Sequence, residues 1–195
     1  MISAAILKKK AISGIRITII GDSITYGFGS SDNAHRWTTL YCVANGYTEI
    51  NMGVSGRGMT RGISPWHTVY LTDTPTKTDD DRYLIFALGI NDLSQPLNTF
   101  ISYFTDSINE AIARGWDKRK IAIVNVYYNT VNDQALSDTY NAGILSFANS
   151  QGIKHIDVWT AMVNGGGSTL LTNDNIHPND TGYQVIANKV ILELI

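Results

Sequence analysis

The sequence predicts an α/β fold, a three-layer α/β/α sandwich built on a five-stranded parallel sheet. Short apolar runs, each long enough for a buried strand, recur along the chain at residues 15–20, 48–52, 83–88, 121–126 and 153–158. Stretches of helix length separate or follow them, at residues 36–45, 99–114, 138–150 and 180–194. Strands that alternate with helices are typical of a parallel sheet whose connections are right-handed crossovers.

The helix predicted over residues 99–114 shows the pattern most clearly. Its apolar side chains recur at every third or fourth position, at Phe100, Ile101, Phe104, Ile108, Ala111 and Ile112. This spacing places them on one buried face of a helix, and Gly115 follows as a C-terminal stop. We therefore expect helices on both faces of the sheet, in a flavodoxin-like arrangement.

The size and composition of the chain limit the classes of protein it can be. A length of 195 residues suits one domain, so we expect residues 1–195 to form it, with residues 1–13 as a flexible N-terminal extension. The single cysteine, Cys42, excludes an internal disulfide framework and a cysteine-based zinc cage. Because the net charge is −2 and the basic residues are scattered apart from short runs such as residues 8–10, we expect no nucleic-acid binding.

The first ten residues do not resemble a secretory signal, because their very short apolar stretch precedes the lysines instead of following them. No window approaches the roughly 18 apolar residues that a membrane helix needs. As the sequence is written, we predict a cytoplasmic protein without a membrane span. The alternative is a module of an exported or virion protein, whose first residues would carry no information about destination. The sequence does not predict an oligomeric state.

Polar side chains follow the predicted strands at the edge where a parallel sheet gathers its carboxyl ends. Ser23 follows the first strand and Asn91 the third, while Asp174 and His177 follow the fifth. A carboxylate three residues before an imidazole can reach its Nδ1 atom and leave Nε2 free to accept a proton. A serine at a strand-to-loop corner is presented for reaction. The pattern therefore predicts a serine hydrolase.

Four blocks of the sequence, each after a predicted strand, resemble a known family. They are Gly21-Asp22-Ser23, residues 51–56 ending in Gly56, the segment Gly89-Ile90-Asn91-Asp92, and the pair Asp174 and His177. Together they resemble the SGNH, or GDSL-type, hydrolase superfamily. The resemblance implies that Ser23 is the nucleophile, His177 the general base and Asp174 its orienting acid. It also implies an oxyanion hole formed by the backbone N–H groups of Ser23 and Gly56 and the side-chain amide of Asn91.

Some of these positions have alternatives at this level. Gly58 lies close enough to Gly56 to be the oxyanion glycine instead. Ser23 would also suit a helix cap, and Asn91 an Asx turn. Asp22 is expected to brace its loop, because a carboxylate in a tight turn readily accepts backbone N–H groups.

The expected function is a carboxylic ester hydrolase that acts on short-chain acyl esters, without a metal or an organic cofactor. Its expected partner is a small-molecule or glycan ester, with an acetylated carbohydrate as the preferred class. A lysophospholipase or thioesterase of the same fold is one alternative. The other is a non-catalytic glycan-binding module of a larger surface or virion assembly. The presence of a nucleophile, a base and oxyanion donors together argues against a pure binding module.

Three further residues are predicted to contact substrate. Arg57 and Trp66 belong to residues 57–70, next to the glycine block, which we interpret either as a wall or lid of the site or as an ordinary loop with an aromatic anchor. Tyr127 comes just beyond the fourth strand and would line the same cleft, because aromatic faces pack against sugar rings and acyl chains.

Overall fold

The structure, a computed structural model, describes residues 14–194 and contains a five-stranded sheet. The strands are β1 (Arg16–Gly21), β2 (Thr48–Gly53), β3 (Asp81–Ala87), β4 (Ile121–Val124) and β5 (Lys154–Ile156). They pair in parallel in the order β2-β1-β3-β4-β5. This is the flavodoxin-like strand order, so the predicted fold class is confirmed. The extension predicted for residues 1–13 lies outside the described residues.

Seven α-helices connect or follow the strands. They are α1 (Ser23–Tyr26), α2 (Trp37–Asn45), α3 (Trp66–Asp73), α4 (Leu97–Ala113), α5 (Gln134–Gln151), α6 (Val158–Gly165) and α7 (Asp180–Glu193) in the part of the chain that is described. Helix α7 packs against α2 and α6, and α4 packs against α3 and α5. The two groups form the outer layers of the sandwich. No helix within residues 14–194 has the length and apolar character needed to traverse a bilayer.

The core lies on both faces of the central strands. Ile17 and Ile19 of β1, Leu84 and Ile85 of β3 and Ile123 of β4 are all 0% exposed. Near-continuous apolar runs are expected where helices cover both faces of a parallel sheet. Burying one such side chain contributes about 1.5–3 kcal/mol, so these strands hold the carboxyl edge of the sheet in place.

Three helices were not predicted from the sequence: α1, which has only four residues, and the longer α3 and α6. Helix α3 lies where a wall or loop was expected, and only Trp66 of its residues is buried, so it lacks an apolar face that a sequence pattern would reveal. Helix α6 begins inside the last predicted strand, because Asp157 accepts a hydrogen bond from the Thr160 N–H at 3.0 Å and caps the helix. Strand β5 therefore ends at Ile156, and its predicted extent to residue 158 was wrong.

Two glycines bring α1 into close contact with the carboxyl edge of the sheet. Gly21 ends β1 and pairs with Gly53 at the end of β2. A Cβ atom at Gly21 would lie 2.0 Å from Thr25 Oγ1, and one at Gly53 would lie 2.3 Å from the Tyr26 nitrogen. Real Cβ atoms do not approach other atoms so closely, so these positions need glycine. The turn that carries Ser23 consequently lies directly against the ends of β1 and β2.

Candidate active site

Ser23 is the first residue of α1, and Asp22 caps that helix. The Asp22 Oδ1 atom accepts a hydrogen bond from the Ile24 N–H at 2.8 Å. This cap makes the chain turn immediately after β1, and Ser23 remains 8% exposed at the corner. Its own backbone N–H has no hydrogen-bond partner among the described residues. Ser23 therefore presents both its hydroxyl and its N–H at the carboxyl edge.

His177 and Asp174 belong to a closed loop that precedes α7. The Asp174 Oδ1 atom accepts hydrogen bonds from the N–H groups of Ile176 and His177, each at 2.9 Å, and from the Thr172 hydroxyl at 2.8 Å. The Thr172 N–H donates to the His177 carbonyl at 2.8 Å and closes the loop. Asn175 adopts the left-handed conformation at φ 61°, which asparagine tolerates better than most residues. The loop geometry thus fixes both side chains.

A continuous hydrogen-bonded chain joins Ser23, His177 and Asp174. The His177 Nε2 atom lies 2.8 Å from Ser23 Oγ, and the His177 Nδ1 atom lies 2.6 Å from Asp174 Oδ2. The Phe28 ring packs against the imidazole with ring centroids 4.4 Å apart. The structure therefore brings together the three residues predicted from the two ends of the sequence. A proton can pass from the Ser23 hydroxyl to Nε2 while the carboxylate holds Nδ1–H.

The surroundings of Asp174 favour its ionised form. Burial raises the pKa of Asp174, but hydrogen bonds from the His177 backbone and side chain, the Ile176 N–H and the Thr172 hydroxyl outweigh it and hold the pKa well below the usual range. Donors directed at a carboxylate stabilise its charge in this way. The ionised carboxylate of Asp174 is the form that accepts the hydrogen bond from His177 Nδ1–H.

A tight hairpin between residues 56 and 62 follows the second sequence block and begins at its last residue, Gly56. Gly56 has φ +77°, a conformation that favours glycine, and its carbonyl accepts a hydrogen bond from the Ile63 N–H at 2.9 Å. Its own N–H has no partner among the described residues. The Gly58 N–H, in contrast, donates to the Arg61 carbonyl at 2.8 Å. Of the two candidate glycines, Gly56 has the unused donor.

Asp92 fastens this hairpin to the end of β3. Its carboxylate is 0% exposed and accepts hydrogen bonds from the Met59 N–H at 2.7 Å, the Thr60 N–H at 2.8 Å and the Thr60 hydroxyl at 2.7 Å. The neighbouring Asn91 donates from Nδ2 to the Arg57 carbonyl at 2.9 Å, which leaves its second amide hydrogen available. Asp92 was given no role from the sequence, although its position beside Asn91 in the third block was a signal.

The three residues predicted to contact substrate lie in the interior. Arg57 is 5% exposed, donates to the Ser64 carbonyl at 3.0 Å and lies over the Trp66 ring at 5.5 Å, while Trp66 itself is 0% exposed. Tyr127 is 1% exposed. Side chains so buried cannot contact a ligand at the surface, so this prediction is corrected: Arg57 and Trp66 support the hairpin from within. Burial of this kind depends on tertiary packing that the local sequence does not encode.

The sequence also did not predict the cleft beside the triad. A cleft of about 360 Å³ is lined by Arg61, Ile90, Asn91, Leu93, Ser94, Asn132 and Ile176. Asn91 and Ile176 connect it to the site, since Ile176 directly precedes His177. Phe28, which packs on the imidazole, was likewise missed, because a single aromatic residue in a loop carries no periodic signal.

The described residues were searched for side chains that could together hold a metal ion. Within residues 14–194, no group of three or more His, Cys, Asp and Glu side chains is arranged to bind one. The described chain thus presents a serine, an imidazole and a carboxylate joined by hydrogen bonds.

A doubly wound parallel sheet with such a constellation at its carboxyl edge has the architecture of a hydrolase. The chain belongs to the GDSL-like lipase/acylhydrolase family, whose model matches residues 19–185, and the resemblance drawn from the four sequence blocks is confirmed. No curated protein matched the chain.

Solved structures share the fold over nearly the whole chain. A member of the lipolytic protein G-D-S-L family from Veillonella parvula superposes with a TM-score of 0.74 at 19% identity, covering 91% of this chain and 97% of that one. A lipase/acylhydrolase from Enterococcus faecalis gives 0.73 at 20% identity, with 92% and 94% covered. A catalytic mutant of Axe2, an acetylxylan esterase from Geobacillus stearothermophilus, gives 0.70 at 17% identity, with 93% and 94% covered. At these identities the likeness concerns the fold.

Proposed function

We propose that the protein is a carboxylic ester hydrolase in which Ser23 is the nucleophile, His177 the general base and Asp174 the acid that orients it. The observation that carries the proposal is the hydrogen-bonded chain from Ser23 Oγ to His177 Nε2 and from His177 Nδ1 to Asp174 Oδ2, at 2.8 and 2.6 Å. A nucleophile bonded to a base, which is itself bonded to an orienting group, is the arrangement that activates a serine.

In this mechanism Ser23 Oγ attacks the ester carbonyl while His177 Nε2 takes the hydroxyl proton. The same proton then passes from Nε2 to the leaving alcohol, and the acyl group remains on Ser23. A water molecule, deprotonated by His177, then attacks the acyl carbonyl. The bond between the acyl carbon and Ser23 Oγ breaks, His177 returns the proton to Oγ, and the carboxylic acid is released. Asp174 stays ionised throughout and stabilises the imidazolium that forms in each half-reaction.

The oxyanion hole would consist of the Ser23 N–H, the Gly56 N–H and the Asn91 amide. Both backbone donors are free of other partners in the described residues, and Asn91 keeps one amide hydrogen after bonding to the Arg57 carbonyl. Gly58 is the poorer candidate because its N–H is already used. Removing one such donor typically lowers kcat about 10²–10³-fold.

The proposed substrates are short-chain acyl esters, with acetylated carbohydrates first. The cleft of about 360 Å³ beside Asn91 is large enough for the acyl or sugar portion of such a substrate. The acetylxylan esterase from Geobacillus stearothermophilus shows that this fold accommodates a sugar acetate. Four of the seven side chains that line the cleft are polar, which is compatible with such a substrate: Arg61, Asn91, Ser94 and Asn132.

The test compares hydrolysis of 4-nitrophenyl acetate, butyrate and octanoate by the wild type, Ser23→Ala and Ser146→Ala. Ser146 is an exposed serine on α5 and serves as the matched control. We expect the wild type and Ser146→Ala to release nitrophenol fastest from acetate, and Ser23→Ala to lose at least about 10⁴-fold in kcat.

A second measurement does not depend on the choice of ester. A fluorophosphonate reagent should label the wild type at Ser23, detected by peptide mass spectrometry, and should not label Ser23→Ala. Hydrolysis by Ser23→Ala at the wild-type rate, or labelling of a different serine, would remove Ser23 from the mechanism.

A further inference from the structure

Arg61 stands at the tip of the hairpin and lines the cleft next to the proposed oxyanion hole. It is exposed, and it shares the cleft wall with Asn91. Among the residues that line this cleft, Arg61 is the only one with a charged side chain. A cation therefore faces the same space that the substrate carbonyl would enter beside Asn91.

The hairpin holds Arg61 at a defined position. The Arg61 carbonyl accepts a hydrogen bond from the Gly58 N–H at 2.8 Å, and Asp92 binds the two preceding residues through Thr60 and Met59. The guanidinium itself donates from Nη1 to the Ser94 hydroxyl. Because a planar guanidinium has five N–H donors in a fixed fork, this one contact leaves most of its donors available.

No carboxylate of the described chain neutralises this cation. Arg61 forms no ion pair within residues 14–194. Asp92, the acid that fastens the hairpin to the end of β3, directs its oxygens at the Met59 and Thr60 donors instead. Arg57, in contrast, is buried and bonded to carbonyl groups. Arg61 is thus the cation on this hairpin that a ligand can reach.

We propose that Arg61 is a specificity-determining residue that binds an anionic group on the alcohol half of the ester substrate. The proposal rests on the proposed esterase function and narrows its substrate class to esters of acidic alcohols, such as an acetylated acidic sugar. Arg61 would form paired hydrogen bonds with a carboxylate or a phosphate while the ester carbonyl lies at Asn91. The apolar side chains of Ile90, Leu93 and Ile176 in the same cleft would contact the ring or spacer that joins the two groups.

The test uses two matched ester pairs that differ in one negative charge. In the first pair, 4-acetoxybenzoate is compared with its neutral methyl ester, so the anion is on the alcohol half. In the second, 4-nitrophenyl hemiglutarate is compared with 4-nitrophenyl pentanoate, so the anion is on the acyl half. The measured quantity is the anionic-to-neutral ratio of kcat/KM, for the wild type, Arg61→Gln and Arg61→Lys, with Ser23→Ala as the blank.

We expect Arg61→Gln to lower the ratio for the acetoxybenzoate pair about 10- to 100-fold, the range for a hydrogen bond between charged groups. Arg61→Lys should retain part of the ratio, since it keeps the charge and loses the fork. High salt should lower the wild-type ratio. Arg119→Gln is the matched control, because Arg119 is an exposed arginine that precedes β4 at the opposite edge of the sheet, and it should leave the ratio unchanged.

The possible results distinguish the proposed role of Arg61 from the esterase function on which it rests. A ratio that Arg61→Gln lowers only for the hemiglutarate pair would keep Arg61 as the anion site and move the anion to the acyl half. Equal ratios in wild type and Arg61→Gln for both pairs would overturn the assignment while esterase activity stands. Absence of Ser23-dependent turnover with all four esters would overturn the proposed function, and this proposal with it.

Discussion

Two carboxyl groups flank Ser23 in opposite surroundings. Asp174, reached through His177, has a side chain that is 40% exposed and accepts hydrogen bonds at both oxygens. Asp22, directly before Ser23, is 0% exposed. Its Oδ1 atom accepts the Ile24 N–H, but its Oδ2 atom has no partner among the described residues. The carboxylate of Asp174 is therefore surrounded by hydrogen-bond donors, whereas that of Asp22 is buried with one oxygen unpartnered.

The two environments move the pKa values in opposite directions. Burial raises the pKa of Asp22 to about 7, since the hydrogen bonds from Ile24 and Thr25 compensate for it only in part and the charge of Asp92 adds to the rise. The pKa of Asp174 lies below its usual range because the donors of its loop outweigh burial. The number of donors aimed at a carboxylate therefore decides which acid keeps its charge next to the serine.

Asp92 is intermediate between them. It is as buried as Asp22, and burial raises its pKa, but both of its oxygens accept hydrogen bonds from Met59 or Thr60. The same substitution, Asp→Asn, tests all three positions. An amide keeps the shape of the side chain and one acceptor oxygen, and it removes the charge and the second acceptor. The expected loss of activity decreases from Asp174→Asn through Asp92→Asn to Asp22→Asn.

Asp174→Asn should have the largest effect, a fall of about 10⁴-fold in kcat for 4-nitrophenyl acetate. The Asn oxygen can still accept the Ile176 and His177 N–H groups and keep the loop, but the amide no longer holds Nδ1–H of the imidazole. Asp32→Asn is the control, because Asp32 binds His35 Nδ1 at 2.7 Å with the same sequence spacing. A loss below about tenfold, or an equal loss in the control, would contradict the orienting role of Asp174.

The pair Asp32 and His35 also shows how much of the site could be predicted from the sequence. The same four-residue pattern occurs twice in the chain, and position after the last strand, in order with the other blocks, singled out Asp174 and His177. In the structure Asp32 and His35 form an exposed pair, and the second pair meets Ser23. The parallel sheet and the gathering of the candidate residues at its carboxyl edge followed from the alternation of strands and helices and the rules for parallel sheets.

The side-chain environment around these residues could not be predicted. Arg57, Trp66 and Tyr127 looked available for substrate in the sequence and are buried in the structure, while Arg61, four residues from Arg57, faces the cleft. Which way a loop side chain points depends on contacts with distant elements, such as the bonds from the hairpin to Asp92. Spacing along a loop carries no equivalent of the periodicity in a helix or strand.

Asp92→Asn should have the next largest effect and act through stability. Its oxygens face the Met59 N–H on one side and the Thr60 N–H and hydroxyl on the other, so an amide NH₂ in either orientation opposes a donor. The expected loss is about 2–3 kcal/mol in the free energy of unfolding in urea. Activity should fall as well, because the hairpin carries Gly56.

The exposed Asp138 on α5 provides the control for this substitution. Asp138→Asn should change the free energy of unfolding by less than about 0.5 kcal/mol. If Asp92→Asn is as stable as Asp138→Asn and equally active, the hairpin does not depend on its buried carboxylate.

Asp22→Asn should have the smallest effect on turnover at pH 6, because the Asn oxygen still accepts the Ile24 N–H and the wild-type side chain is then mostly neutral. Its effect lies in how stability depends on pH. The folded pKa of about 7 exceeds the unfolded value of 3.8, so the folded state retains a proton that the unfolded state has lost between these limits. The contribution of Asp22 to wild-type stability therefore falls as pH rises from about 4 to 7, by up to about 1.4 kcal/mol per pH unit.

The contribution of Asp174 to stability changes with pH in the opposite direction and over a lower pH range. The contribution of Asp22 can therefore be measured separately above pH 4. The folded pKa of Asp174 lies below the unfolded value, so its contribution to stability is present above pH 3.8 and is lost as pH falls below it. Urea unfolding of the wild type and Asp22→Asn at each pH from 4 to 8 isolates the Asp22 component as the difference between the curves. The wild type should lose stability relative to the variant up to about pH 7 and run parallel to it above. Parallel curves over the whole range would show that Asp22 ionises normally despite its burial, so that the contrast between its pKa and that of Asp174 would not hold.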